Sequence, residues 1–371
     1  MALTLHGTVS DNTVVLSRQN ANPLIINGDM AVAQRGTSVT GLGASGGYFT
    51  VDRFNIRTGD ASAGRFTMTQ TADAPTGSGF QECIKLDCTT ADTSIAAGER
   101  LRLEYIFEGQ DLQLLRKGTS DAKPVTVSFY VKGNGNATYM LDLEDGDNSR
   151  DSTTQFAVTS SWSKVVINVP ADTTGALDND NAASLYMHIW LHAGATYTGG
   201  SYTAGTWASQ TNANRAVGIS SLFSSTANNF FITGIQMEVG EFDANSIAPF
   251  QHETYADNLS RCERYCQSTF SQGTAIGSAT AVGIQIQNTN TAGAGSMAQG
   301  VLLRTVMRAV PTIVVHNQTG GTTGSARRGD NGAMQALASG NASTSSIHFE
   351  NSSGTSANIQ LQWQFSATAE L

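Results

Sequence analysis

The chain of 371 residues is too long for one small domain and suits two or three. Only 14% of its residues are charged, the formal net charge is −9, and Gly numbers 38 against six Pro, so solubility rests on hydroxyls and amides. The 21 Lys and Arg are spread along the whole chain, which disfavours a nucleic-acid binder or a protein of anionic membrane surfaces, since both need positive charge concentrated on one face.

The opening, "MALTLHGTVSDNTVVLSRQNANP", has no cationic stretch followed by an apolar run of the kind a signal peptide or membrane helix needs. Synthesis and folding in a cytoplasm are therefore expected. Four cysteines, Cys83, Cys88, Cys262 and Cys266, are too few for a disulfide scaffold and are expected as reduced thiols.

From Asn22 onward the dominant signal is period-2 alternation. In "ERLRLEYIFEG", Leu101, Leu103, Tyr105 and Phe107 fall on one face, with Arg100, Arg102, Glu104 and Glu108 on the other. "KPVTVSFYVKG" sets Val125, Val127, Phe129 and Val131 against Thr126, Ser128, Tyr130 and Lys132. "KVVINV" follows from Lys164, and in "NNFFITGIQMEVG" strict alternation puts Phe231, Ile235, Met237 and Val239 together. Turn signals separate these runs: "KGNGN" from Lys132, "DGDN" from Asp145 and "DTTGALDNDNA" from Asp172. Many short strands without alternating helices predict an all-β fold, a jelly roll or β-sandwich over 22–252.

The period then changes. In "YADNLSRCERYCQSTF", Tyr255, Leu259, Cys262 and Cys266 recur at helical spacing, with Asp257, Arg261, Glu263, Arg264 and Gln267 on the remaining surface, so a short linking helix is predicted within 253–270. Four cysteines split between 83/88 and 262/266 match no closed zinc pattern, and small apolar packing is the better account of them. Alternation resumes in "VGIQIQ" from Val282, "VLLRTVMRAVPTIVV" from Val301 and "NIQLQWQFSA", where Ile359, Leu361, Trp363 and Phe365 align. A second, smaller β-sandwich domain is predicted over 271–371.

Several words of this sequence, "NPLIINGDMAVAQRGTS", "YFTVDRFNI", "FFITGIQMEVG", "APFQHETYADNLSRCERYCQ" and the terminal "AEL", resemble a family of phage tail-fibre and related virion proteins. The resemblance runs from Asn22 to Leu371, with Cys266 where the family usually has a tyrosine and Phe54 where it often has Trp. It implies a first domain similar to jelly-roll carbohydrate-binding modules, a homotrimer, other virion proteins as partners, and adhesion to a host surface glycan or protein. It also implies a place on the virion, at the tail or capsid surface, and no insertion into a membrane. Residues 1–21 would be an arm that attaches to the particle or a sister subunit, or else an edge strand. A capsid decoration protein or a fibre connector without receptor contact is the alternative.

The candidate glycan site comes from "SLYMHIWLHAG". Leu185, Met187, Ile189 and Leu191 form its core face, which turns Tyr186, His188, Trp190 and His192 to the other side. Aromatic rings stack on sugar C–H patches while imidazoles pair with hydroxyls; the competing and commoner outcome is burial of this row beneath the long segment that follows it. Asp142, Glu144, Asp145 and Asp147, and Asp178 and Asp180, offer oxygens for calcium without the twelve-residue loop, and are expected as solvated turns. Jelly-roll modules of the type resembled often carry a structural calcium near their first strand, which nominates Asp29 and Glu238. No cofactor is otherwise expected. With no His-Glu-x-x-His, no Walker loop and no local carboxylate pair, the chain is expected to bind rather than catalyse.

Overall fold

The computed structural model describes residues 22–60, 62–321 and 323–371; the expected arm of residues 1–21 lies outside them. The first lobe contains β1 (Ser38–Leu42), β2 (Gly47–Tyr48), β3 (Asn55–Gly59), β4 (Arg65–Thr71), β5 (Cys83–Thr90), β6 (Arg100–Glu108), β7 (Val125–Gly133), β8 (Ala137–Asp145), β9 (Arg150–Val158), β10 (Ser163–Val169), β11 (Ala183–Ala193), a short α1 (Ala195–Thr198), β12 (Ala208–Ser209) and β13 (Asn229–Val239). They form two antiparallel sheets, β1-β4-β5-β13-β7-β10 (sheet A) and β12-β9-β8-β11-β6-β3-β2 (sheet B). The sandwich core lies between them, with Phe66, Phe129 and Phe230 from sheet A meeting Leu103, Leu141 and Ile189 from sheet B. The all-β sandwich expected from alternation is present.

One strand breaks its own alternation. The inward residues of β13 are Phe230 and Ile232, then Ile235, Met237 and Val239. The register shifts between Thr233 and Gln236, where Gly234 adopts a left-handed φ of +63°. This bulge inserts one residue and changes the phase of the pleat. Phe231, predicted with the core set, instead faces outward, where Trp162 packs edge-on against it and Lys132 lies 4.5 Å above its ring.

Helix α2 (Tyr255–Glu263) begins at Thr254, whose hydroxyl accepts from the Asp257 amide, and it ends earlier than the cysteine spacing predicts. Cys266 lies beyond it in β14 (Cys266–Ser268), paired with the last strand. Cys262 and Cys266 are both buried, but on different elements; Tyr255 is exposed, and Glu263, expected on the surface, is buried with its carboxylate on Arg304. The remaining strands are β15 (Gln285–Asn288), β16 (Ala298–Leu302), β17 (Thr312–His316), β18 (Ser325–Arg328), β19 (Met334–Gly340), β20 (Ser346–Asn351) and β21 (Gln360–Thr368). They complete a second all-β lobe with its own core, in which Leu361, Trp363 and Phe365 of β21 meet Ile347 and Phe349. In "VGIQIQ", Val282 and Ile286 are exposed and build no core.

The lobes meet at a buried ionic junction. Arg53 donates to Glu370 Oε2 at 2.7 Å and to the Ile106 carbonyl at 2.8 Å, and its guanidinium lies 3.4 Å from the Tyr265 ring centre. Arg35 bridges Asp52 Oδ1 at 3.1 Å and Glu370 Oε1 at 2.8 Å. Gln34 ties Asp52 to the Cys266 carbonyl, both at 2.6 Å, and Glu108 accepts from Tyr265 at 2.6 Å and from both Arg264 donors. Gly28 is required here by space, because a Cβ on it would sit 2.1 Å from the Ile235 carbonyl oxygen. Removing one partner of such a junction leaves a buried charge without its counter-ion. Glu370→Ala is therefore expected to lower the unfolding free energy by about 3 kcal/mol, read as a lower midpoint in urea.

Candidate functional site

The outer face of sheet B gathers Tyr186, His188 and Trp190 of the predicted aromatic row, whereas a register shift after Trp190 sets His192 opposite the core residue Leu101 and turns it inward against Phe223. Register sets Tyr186 beside Glu144, His188 between Asp142 and Glu104, and Trp190 beside Arg102 and Met140. Alternation alone would leave this face open. The segment after β11 instead folds back across it: Tyr197 packs 5.1 Å from Trp190, and Met140, Ala193 and Ala216 close a small apolar cluster around them. His188, Trp190 and His192 are buried, and Tyr186 is half-buried. The open four-residue platform is thus replaced by a closed trough with one aromatic at its mouth.

The trough is filled by charge. Arg215, delivered by the covering segment, donates to Asp142 Oδ2 through Nε at 2.9 Å and Nη2 at 2.7 Å, and also to Glu144. Trp190 Nε1 donates to the same Asp142 oxygen at 2.9 Å. The guanidinium groups of Arg102 and Arg215 lie 4.8 and 5.3 Å from the Trp190 ring centre, a cation–π arrangement around a buried indole. His188 bridges Glu144 at 2.8 Å and Glu104 at 3.2 Å. Asp142, Glu144 and Asp145 belong to strand β8, and Asp142 and Asp145 are fully buried. The solvated turns expected there are therefore replaced by an internal ion network; Asp178 and Asp180 do lie exposed in a turn.

Burial acts unequally on these groups. Burial alone would raise the Glu144 carboxyl, but His188 and Arg215 hold it well below the usual carboxylate range. Burial pushes Asp151 up to about 7, with Asp142 and Glu144 adding to the effect against Arg215. Burial, helped by the charge of Arg215, lowers Arg102 to about 10.

Among the described residues, Asp142, Glu144 and His188 have ligand atoms within 4.8 Å of one another and could hold a metal ion. One oxygen of each carboxylate, Asp142 Oδ2 and Glu144 Oε2, already accepts from Arg215, whose guanidinium brings positive charge to the group. This group contains neither Asp29 nor Glu238. Asp29 accepts from the Asn258 side chain at 3.1 Å, and Glu238 lies buried in β13 opposite Thr126. All four cysteines are free and buried, and burial pushes Cys83 and Cys266 up to about 12.

Two arrangements have a catalytic spelling. Gly43 to Gly47, "GASGG", reads Gly-x-Ser-x-Gly, yet it links β1 to β2 with Ser45 exposed and no helix following, unlike a nucleophile elbow. His192 joins Ser221 Oγ at 2.7 Å to Glu99 at 3.2 Å. The Ser221 hydroxyl also accepts from the Phe223 amide at the start of a helical turn, and Phe223 packs 5.0 Å from the imidazole. This set fastens the covering segment to β11.

The open part of the face is its mouth. Gly146 makes room for the Tyr186 ring, since a Cβ there would meet Cε2 at 2.7 Å, and the ring stacks on His188 at 5.8 Å and 19°. Glu144 is partly open beside it, and Arg57 and Asp147 are exposed nearby. No protein-family model matches the sequence, and no curated protein does. Among solved structures, the chain is similar to a CBM22-1–CBM22-2 tandem domain from Paenibacillus barcinonensis (11% identity, 96% of this chain and 92% of that one, TM-score 0.28). It is similar too to a family 11 carbohydrate-binding module from Clostridium thermocellum in complex with a beta-1,3-1,4-mixed-linked tetrasaccharide (12%, 56% and 98%, 0.27). A third likeness is to the enzymatically active domain of tailspike protein 4 of Bacteriophage CBA120 (9%, 58% and 21%, 0.30), of which the chain spans about a fifth. At these scores the likenesses carry no argument about ligand or activity.

The raised Asp151 carboxyl gives the trough a pH dependence. Between the ordinary Asp value of 3.8 and about 7 the native state holds a proton that the unfolded chain has released, so this group's contribution to stability falls as pH rises through that window. Asp151→Asn keeps the neutral form at every pH. The variant is expected to melt about 2 °C above the parent at pH 8 and level with it near pH 4, measured by calorimetry.

Proposed function

We propose that this chain is a structural protein of a phage virion, a tail-fibre or receptor-binding component, whose first lobe adheres to host cell-surface glycans without catalysing a reaction. The observation that carries the reading is the half-open Tyr186 ring, held flat on His188 beside the Glu144 carboxylate at the mouth of a preorganised trough. A fixed ring with adjacent acceptors suits a sugar's C–H face and hydroxyls, and little ordering remains to be done on binding. Such a protein would be made in the host cytoplasm and assembled at the tail or capsid surface. The words "NGDM", "QRG", "DRF" and "AEL" support the virion assignment.

The burial of Trp190, His188 and His192 favours a second reading, a decoration or connector protein whose rigid two-lobe body transmits position rather than binding a receptor. Tyr186→Ala separates the two. For an adhesin, the variant should bind host cells at least about tenfold more weakly while melting within ~2 °C of the parent. Unchanged cell binding would leave the connector.

The oligomer proposed is a homotrimer with other virion proteins as neighbours. Its support is three exposed apolar side chains of the second lobe, Leu302 at 82%, Val310 at 61% and Val306 at 59% exposure. Light scattering at working concentration is expected to give three chain masses; one chain mass would overturn the proposal.

A further inference from the structure

The outer face of sheet A carries a groove of about 420 Å³ that the trough of sheet B does not touch. Its floor is three adjacent strands: Lys164 of β10 pairs with Tyr130 of β7, and Ser128 of β7 pairs with Gln236 of β13. Phe250 and His252 form one wall, and Phe80 packs against both, with ring centres 4.9 and 5.2 Å away. The bulge at Gly234 shapes the groove, because a Cβ there would lie 2.5 Å from the Phe80 ring. A side chain at this position would push that wall away. The volume falls in the range of small-molecule sites, roughly 300–1,000 Å³.

Two polar groups in this groove are unspent. Gln236 is 6% exposed, and its amide nitrogen donates to Ser128 Oγ and to the Ala248 carbonyl, both at 3.1 Å. Its Oε1 is buried without a hydrogen-bond partner among the described residues. A buried acceptor left unmade costs free energy that a ligand hydroxyl would recover. Lys164, half-buried, lines the same groove across β7 and belongs to none of the ion pairs found among the described residues. Burial lowers its pKa, the direction that a bound anion would reverse.

We propose that this groove is a second binding site, for a pyranose carrying a carboxylate: the sugar ring lies against Tyr130 and Phe250, a hydroxyl donates to Gln236 Oε1, and the carboxylate pairs with Lys164. Aromatic walls select a flat C–H face, and one ammonium without an arginine fork suits a monoanion better than a phosphate. The site stands apart from the mouth at Tyr186, so either can fail alone.

The test is saturation-transfer NMR titration of the full chain with D-glucuronate and, as the neutral counterpart, D-glucose. Glucuronate should bind roughly tenfold more tightly than glucose, and Lys164→Met should abolish that preference while Lys164→Arg retains part of it. Tyr186→Ala should leave it intact. Because Lys164 lies at the surface of a strand, a matched melting temperature certifies that the variants fold. The proposal is overturned if glucuronate fails to bind, if it binds no better than glucose, if Lys164→Met keeps the preference, or if Tyr186→Ala removes it.

Discussion

Arg53 is buried at the meeting of two lobes, and a guanidinium cannot be left there without a carboxylate and a ring to receive it. Glu370, the residue before the last, supplies the charge, and Tyr265 supplies the ring. Each comes from a different part of the chain, so the junction closes only when the first sandwich, helix α2 and the last strand are all in place. Arg53 itself has a left-handed φ of +73°, a conformation disfavoured for a non-glycine residue and kept here by contacts on every side. The words that carry the virion resemblance converge on this spot: Asn27 and Gly28 shape its loop, Gln34, Arg35 and Asp52 continue the ion pairs, and Tyr265 and Glu370 complete them. Those motifs describe how two lobes are held together, and say nothing directly about what either lobe binds.

The trough on sheet B obeys the same electrostatic rule with a different outcome. Asp142, Glu144, Glu104 and Asp151 would repel one another if all were ionised in a dry space. Arg215 and Arg102 offset part of that charge, His188 bridges two of the carboxylates, and Asp151 is driven toward its neutral form. The network therefore demands the covering segment that brings Arg215. A face that alternation marks as solvent-exposed becomes interior because its charges have distant partners, Glu144 finding His188 44 residues on and Asp142 finding Arg215 73 residues on.

That distance also explains what the sequence made legible. Strand faces were readable wherever side chains alternate without interruption, as in Leu101 to Phe107 and Val125 to Val131, because a two-residue period is a local property. The phase of β13 was not, since a glycine bulge changes the face without changing composition; Gly234 was the available signal. Asp142 and Glu144 read as turn residues because "LDLEDGDN" ends in turn chemistry, although Leu141 and Leu143 already alternate with them as a strand. Cys266 follows the helical spacing of Cys262 by coincidence, its pairing with Thr368 being fixed by a strand a hundred residues later. Arg215 carries no local mark at all, and only the fold assigns it a role.

Which face of a sandwich can bind depends on which one the connections leave uncovered. The link from β11 to β13 is long, and its anchors at Ser221, Arg215 and Tyr197 fasten it over sheet B. The connections around sheet A are arranged otherwise: Phe80 packs on Tyr130 of β7 and the Ala248 carbonyl accepts from Gln236 of β13, so the two segments that carry them flank the groove as walls. A lid brings counter-charge to the groups beneath it, as Arg215 does to Asp142 Oδ2. Walls leave the groove open, and a floor that holds a buried Gln236 oxygen without a partner among the described residues, with Lys164 in the same groove, offers a solute two polar groups. The aromatic row that draws attention in the sequence is the part the protein uses for itself, while the groove formed across three strands and two distant turns has no linear motif by which it could be noticed.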